Sequence, residues 1–189
     1  MRGTGRSLIA LFAVVSLASG CGYNKLQTLD EQVNKAQGQI KVQLQRRADL
    51  IPNLVEVVKG VAKQESTVYI GVAEARSKLA TAVQGGNLQE MAAANAAMNQ
   101  PLGRLMAIAE AYPELKSNLN FTQLQDQLEG TENRISVART DYNTAVEQMN
   151  ATARTFPTNL TAKMFGLSKP REYFEVTTPG AEKAPDVKF

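Results

Sequence analysis

The C-terminal half of the sequence carries an apolar repeat with the period of an α-helix. Side chains recur at seven-residue intervals, with a second series between them: Phe121, Leu128, Ile135, Tyr142, Met149 and Phe156, then Leu124, Thr131, Ala138 and Ala145. Seven residues are close to two helical turns, so both series lie along one stripe of a long helix. Asn120 with Gln123 is expected to cap its start, and Pro157 to close it. Because such a stripe has to be buried against other helices, the repeat predicts a helical bundle.

Two helical segments are expected at the start of the mature domain. The first is expected to begin at Asn24, and Asp49 is expected to cap a second helix just before Pro52. The second ends at Gly85-Gly86, where a positive φ angle costs little. One kinked helix over residues 24–84 is the alternative. The two apolar stripes are Leu26, Leu29, Val33, Ala36, Ile40 and Leu44, then Ile51, Leu54, Val58, Val61, Val68, Val72, Ala75, Leu79 and Val83.

A third helix is predicted between these segments and the long repeat. Asn87 and Glu90 resemble a capping box at its start, Pro101 should kink it, and Pro113 should end it. A loop is expected over residues 114–117.

The predicted fold class is all-α. Short connections favour antiparallel neighbours, so we expect an elongated antiparallel four-helix up-and-down bundle over residues 21–166, or three helices if the first two are continuous. A short helix is expected at Asn159–Phe165, before Gly166. Residues 167–189 are expected to form a flexible, extended C-terminal tail, because Pro, Gly, Thr and charged residues dominate beyond Lys169.

The N-terminal residues have the pattern of a lipoprotein signal peptide over residues 1–20. Arg2 and Arg6 precede an apolar run over residues 8–18, and small residues lead to Cys21. A secretory apolar region is about 7–15 residues long, whereas a membrane-spanning helix needs about 20. Cys21 is the sole cysteine of the chain, at the position where lipoproteins are acylated. A secreted protein and an uncleaved anchor are the alternatives.

Lipidation at Cys21 implies a place on the membrane surface. Stable anchoring takes two lipid signals, which a diacylglyceryl group with an added acyl chain, such as palmitate, supplies. The expected location is the periplasmic side of the cell envelope, and Gly22 after the cysteine slightly favours the outer over the inner membrane. With the first helix at Asn24, almost no linker would separate the lipid from the bundle.

Several function classes are excluded by composition. The chain has no histidine, which removes histidine-based acid–base catalysis and the di-metal site of ferritin-like bundles. Losing Arg2 and Arg6 from the 21 basic residues leaves them nearly balanced with the 18 acidic ones, so nucleic acid is not expected as a partner. We therefore expect no enzymatic activity, no cofactor and no metal, since Cys21 is the sole cysteine.

A set of charged residues falls on or beside the predicted apolar stripes. A buried carboxylate without a partner is costly, so Glu65, if it faces inward, is expected to pair with Arg139 or Arg76. A structural ion-pair cluster is the favoured interpretation; a ligand-binding site and catalytic carboxylates are the alternatives. The candidate cluster is Glu65, Arg76, Glu110, Glu132 and Arg139, and Arg46 and Arg47 also lie near the stripe edges.

Longer motifs resemble the LemA family. They are QLQRRADLIPNLV from Gln43 to Val55, EAYPELK from Glu110 to Lys116, Asn120-Phe121, LEGTENRI from Leu128 to Ile135, Tyr142-Asn143, Phe156-Pro157 and PDVKF from Pro185 to Phe189. The resemblance implies a four-helix bundle of the bromodomain-like, mirror up-and-down type, displayed outside the cytoplasm. Many family members keep a longer apolar N-terminal helix as an anchor, whereas this chain ends that segment in a lipobox.

The favoured function is a non-enzymatic interaction or scaffolding module with an unknown envelope protein as partner. Its possible partner surface comprises Asp49, Pro52, Asn53, Pro113 and Lys116. Tight turns that serve packing alone are an equal interpretation of these segments. The alternatives are a protein that binds a small molecule or lipid in an inter-helix cavity and, less favoured, a hydrolase of unfamiliar type.

Overall fold

A computed structural model describes the backbone of residues 4–175 and the side chains of residues 22–175. The side chain of Cys21 and residues 176–189 lie outside these ranges. The described residues form helices and connecting turns without a strand, so the all-α prediction is confirmed. The helices are α1 (Thr4–Val61), α2 (Ser66–Gly85), α3 (Leu88–Ala111), α4 (Pro113–Lys116), α5 (Leu119–Arg154) and α6 (Thr158–Met164). The long helices α1 and α5 are antiparallel, and α2 packs with α3.

The chain divides into two compact units. The first unit comprises Met1–Gln37 with Thr140–Tyr173, and the second comprises Gly38–Arg139 with Phe174–Phe189. In the first unit, Tyr23 and Phe165 pack with their ring centroids 4.5 Å apart. Its buried apolar side chains are Leu26, Leu29, Val33 and Ala36 of α1, Tyr142, Val146, Met149 and Ala153 of α5, and Ala162 of α6.

The chain after α6 is held against the first unit. The Asn150 side chain bonds both backbone groups of Arg171, donating to its carbonyl at 3.0 Å and accepting from its N–H at 2.8 Å. The Arg171 guanidinium pairs with Asp30. Burial raises the pKa of Tyr142, whose protonated hydroxyl donates to the Glu172 carbonyl at 3.0 Å. The flexible tail predicted over residues 167–189 is therefore corrected at Arg171 and Glu172, because α1 and α5 supply partners that composition does not reveal.

The second unit contains the remainder of α1, all of α2, α3 and α4, and α5 up to Arg139. Its core is built from the predicted apolar stripes, and α4 contributes the fully buried Leu115. The short helix α4 replaces the loop predicted over residues 114–117, since Pro113 at its first position starts a helical turn as well as ending α3. The largest fully buried side chains of this unit include Ile40, Leu44, Ile51, Leu54, Leu79, Met91, Met98, Leu105 and Ile135.

Helix α1 continues through Pro52, so the predicted break near Asp49 is wrong. Pro52 has no N–H to donate to the carbonyl of Ala48 four residues earlier. The Arg76 side chain supplies the missing donor, because its Nε lies 2.9 Å from the Ala48 carbonyl oxygen. Asp49 accepts a hydrogen bond from Gln45 within the helix and caps nothing. The real break lies at residues 62–65, so a single helix over 24–84 is also excluded.

Local signals located other helix ends with mixed success. Gly86 takes a left-handed φ of 74° after α2, and Asn87 caps α3 by accepting from the N–H groups of Gln89 and Glu90, as predicted. Asn118 caps α5, two residues before the predicted cap. Asn24 lies inside α1, whose backbone is helical from Thr4.

Most of the predicted stripe of α5 from Phe121 to Met149 is buried, whereas Leu124 and Ala145 are only half-buried. Its last predicted member, Phe156, lies beyond the end of α5 at Arg154 and is 74 % exposed. The short helix α6 lies within one residue of the prediction at both ends, and Gly166 follows it with a positive φ of 73°.

Replacing Arg76 by Met is expected to lower the free energy of unfolding by about 1–3 kcal/mol, because a part-buried carbonyl oxygen loses its donor. In a Pro52→Ala background the restored N–H of residue 52 can bond to Ala48, so the same replacement should cost about 1 kcal/mol less. Urea unfolding of the four variants measures this difference, with Arg104→Met at an exposed site of α3 as the control. Equal costs in the two backgrounds would show that Arg76 does not serve the gap left by Pro52.

Candidate functional site: a buried arginine and a mixed-charge cavity

A polar cluster built around Arg47 joins three helices of the second unit. Arg47 follows Leu44 by three residues on α1, which places it on the apolar stripe, and it is 6 % exposed. Its Nη1 lies 2.5 Å from the Asn95 side-chain oxygen, and its Nη2 lies 2.9 Å from that of Asn99, both on α3. Its Nη1 also lies 2.6 Å from Oε2 of Glu132 on α5. One guanidinium therefore contacts both α3 and α5.

The charge of Arg47 is maintained inside this cluster. Burial lowers the pKa of Arg47, and the negative charge of Glu132 partly offsets this by raising it. A guanidinium nevertheless stays protonated in proteins, so its N–H groups need acceptors. Asn95, Asn99 and Glu132 supply them. Since the Arg47 side chain is 8 % exposed and that of Glu132 is 46 % exposed, the pair reaches solvent on the glutamate side.

The five residues predicted as one charge cluster are not assembled that way. Glu132 joins Arg47, and Arg76 binds the Ala48 carbonyl oxygen. Glu110 is exposed and lines a separate cavity. Arg139 lies with its guanidinium carbon 5.1 Å from the ring centroid of Phe174, which is buried. Arg139 Nε is buried without a hydrogen-bond partner, so this side chain is held over the ring by a cation–π contact.

Glu65 is exposed and forms no salt bridge with Arg139 or Arg76, which corrects the prediction. The prediction assumed one uninterrupted helical register from Val58 to Val72. Because α1 ends at Val61 and α2 begins at Ser66, Glu65 occupies the N-cap of α2 instead of a core position. Tyr69 reaches the turn from α2, and its hydroxyl donates to the Ala62 carbonyl.

Sequence reasoning placed Arg47 only near the edge of a stripe, and it missed Asn95 and Asn99. A usable signal was present in α3, where Asn95 lies between Met91 and Met98 at the four- and three-residue steps of the core stripe. A polar residue at such a position, 4 % exposed, requires a partner. The partner on α1 was not evident because the predicted break at residues 49–52 separated Arg47 from the rest of its stripe.

A cavity of about 250 Å³ lies where α3, α4 and α5 meet. Helix α3 contributes residues of one face, α4 contributes Lys116, and α5 contributes residues of its first two turns. The lining residues are Met106, Ala109, Glu110, Lys116, Phe121, Thr122 and Gln125.

The predicted partner surface is divided in two. Asp49 and Asn53 are exposed on α1 and line an open groove of about 600 Å³. Pro52 is half-buried between them. The other residues of the groove are Lys41, Val42, Gln45, Arg46, Leu50 and Val83. Pro113 and Lys116 are exposed on α4 and do not line this groove.

Within the described residues, no helix combines the length and the hydropathy that a membrane span requires. The same residues contain no group of three Asp, Glu, His or Cys side chains placed to hold a metal ion.

The helices described above make this an all-α protein. Its long helices are joined by the polar contacts of Arg47 and Arg76. The sequence profile of the LemA family matches residues 36–189, and the chain belongs to this family.

Curated relatives are more distant. The magnetosome proteins MamQ 1 and MamQ 2 of Paramagnetospirillum magneticum are each 26 % identical over 197 residues, covering 92 % of this chain and 71 % of the relative. The magnetosome protein MamQ of Magnetospirillum gryphiswaldense is 24 % identical over 181 residues, and the match covers 84 % of this chain and 66 % of the relative.

Arg47→Met is expected to lower the free energy of unfolding by about 3 kcal/mol, because it leaves Asn95 and Glu132 without their donor while Glu132 retains partial solvation. Arg46→Met, at the exposed neighbouring position, should change it by less than about 0.5 kcal/mol. Arg47→Lys should recover only part of the loss, since an ammonium lacks the planar fork that spans both asparagines. Urea unfolding measures all three. Equal effects of the Arg46 and Arg47 replacements would contradict a structural role for this cluster.

Proposed function

We propose that this LemA-family chain is a lipid-anchored protein of the bacterial envelope that acts as a non-enzymatic interaction module at the membrane surface. The observation that carries the proposal is the use made of the interior polar groups. Arg47 donates to Asn95 and forms an ion pair with Glu132, and Arg76 satisfies the carbonyl of Ala48. Because these groups are engaged in holding helices together, the described core offers a rigid support whose exposed faces are available for contacts.

The anchor is proposed at Cys21, on the sequence pattern of residues 1–21. The backbone of α1 is helical on both sides of this residue. Cleavage after Gly20 would therefore leave the acylated cysteine at the first turn of the remaining helix, with almost no linker. Delivery to the outer membrane, on the periplasmic side, follows from Gly22 in the sorting position.

The finer topology is part of the proposal. We place the four long helices α1, α2, α3 and α5 in an up-and-down bundle of the mirror type that the family resemblance implies. The similar proteins are magnetosome proteins by name. A structural or assembly role for this chain is the proposal that this name suggests.

The partner surface is proposed on the groove beside α1. Val42 is 63 % exposed there, although apolar, and Arg46, Asp49 and Asn53 line the same groove. Val42 offers apolar area for a contact, and the charged and amide groups around it match the polar rim of a protein–protein interface.

Cys21→Ser is expected to abolish incorporation of a labelled fatty acid, because the thiol is the group that is acylated. Ser19→Ala, which keeps a small residue before the cleavage site, should retain the label and serves as the matched control. Membrane fractionation and mass spectrometry of the N-terminal peptide complete the measurement. An unlabelled wild-type chain, or a mature protein that retains residues 1–20, would contradict lipid anchoring.

A photo-activated cross-linker at position 42 is expected to give a discrete adduct with an envelope protein in intact cells. Position 137 is the matched control, since Val137 is 60 % exposed and lies on α5 outside the groove. Asn53→Arg, on the groove, should suppress the adduct from position 42 by steric and charge mismatch. The same adduct from positions 42 and 137, or none from position 42, would refute this surface.

A further inference from the structure

The cavity between α3, α4 and α5 has the form of a binding site with one apolar wall. Met106, Ala109 and Glu110 lie at steps of three and four residues on α3, so they share one face of that helix. Phe121 and Gln125 are four residues apart on α5 and share a face in the same way. Met106, Ala109 and Phe121 make the apolar wall.

Two opposite charges line this cavity without neutralising each other. The carboxylate of Glu110 and the ammonium of Lys116 form no salt bridge together or with any other described side chain. Both side chains are exposed, and they have opposite charges on the lining of one cavity. A ligand that carries one positive and one negative charge could pair with Glu110 and Lys116 at the same time.

The polar groups of α5 that line the cavity offer hydrogen-bond acceptors, which favour a positive charge on the ligand. The Thr122 hydroxyl donates its proton to the Asn118 carbonyl at 3.3 Å, so its oxygen lone pairs stay available. The Gln125 amide donates to Glu129 at 3.2 Å, which leaves its carbonyl oxygen as an acceptor. Glu110, Thr122 and Gln125 therefore present acceptors, whereas Lys116 presents donors. An ammonium group needs acceptors and a carboxylate needs donors.

The size of the cavity limits the ligand. A volume of about 250 Å³ lies below the roughly 300–1,000 Å³ of sites for drug-sized molecules. We propose that this cavity binds a small zwitterion of amino-acid or dipeptide size. Its ammonium group contacts Glu110 and the acceptors of α5, its carboxylate contacts Lys116, and its apolar side chain packs on Met106 and Phe121. This inference goes beyond the proposed function, because it depends on neither the anchor nor the partner surface.

The test uses the full-length chain in detergent and calorimetric titration with L-leucine and the dipeptide Ala-Leu. N-acetyl-Ala-Leu lacks the ammonium group, and Ala-Leu amide lacks the carboxylate. Each capped form is expected to bind about tenfold or more weakly than the free dipeptide, since each loses a charged hydrogen-bonding group. Glu110→Gln should weaken the free dipeptide similarly and leave the acetylated form unchanged. Lys116→Met should weaken binding of the free dipeptide similarly and leave binding of Ala-Leu amide unchanged.

The controls separate charge from folding. Glu74→Gln and Lys78→Met change the same residue types at exposed positions of α2 and should leave binding unchanged. Thr122→Trp places an indole at the cavity from an exposed position and should abolish binding while the thermal midpoint is retained. Absence of binding at about 10 mM of either free probe, tenfold above a millimolar Kd, overturns the proposal. Equal binding of capped and free dipeptides also overturns it, because an apolar cavity alone would give that result.

Discussion

The guanidinium of Arg47 keeps its charge inside the second unit, where desolvation disfavours it, so neighbouring helices have to present acceptors at one level. Asn95 and Asn99 do so from α3, and Glu132 does so from α5. A shift of either helix by one turn, about 5.4 Å, would carry these acceptors out of reach. Apolar burial has no such directional requirement. The cluster thus adds a directional constraint on register to the packing of the hydrophobic core.

The adjacent residue of α1 extends this arrangement to the fourth long helix. Pro52 frees the carbonyl of Ala48, and Arg76 of α2 occupies it. Consecutive residues 47 and 48 therefore contact α2, α3 and α5 through one side chain and one carbonyl oxygen. The proline would ordinarily break a helix, yet here it creates the acceptor that positions α2. Because Arg76 takes the place of the missing N–H of Pro52, α1 can run unbroken to Val61.

The sequence predicted what depends on neighbours along the chain. The stripe of α5 from Phe121 to Met149, the left-handed Gly86 and the Asn87 cap all arise from local period or local hydrogen bonding. The predictions that were wrong concerned features that depend on contacts between residues distant in the sequence. Helix continuity at Pro52 depends on Arg76, and the position of Arg171 depends on Asn150.

The same limit applies to the candidate site. Glu132 and Arg76 were correctly identified as residues that approach the core, but their partners were not. Their partners depend on the break between helices lying at residues 62–65 and not at Pro52. Two motifs that resemble the LemA family then take different roles. The segment around Arg47 places its polar group inward, where it is consumed by helix contacts, whereas the segment from Glu110 to Lys116 bends at Pro113 and leaves two opposite charges facing a cavity. Both side chains are exposed and form no salt bridge with each other, so the contacts among the described residues leave both charges open to a ligand.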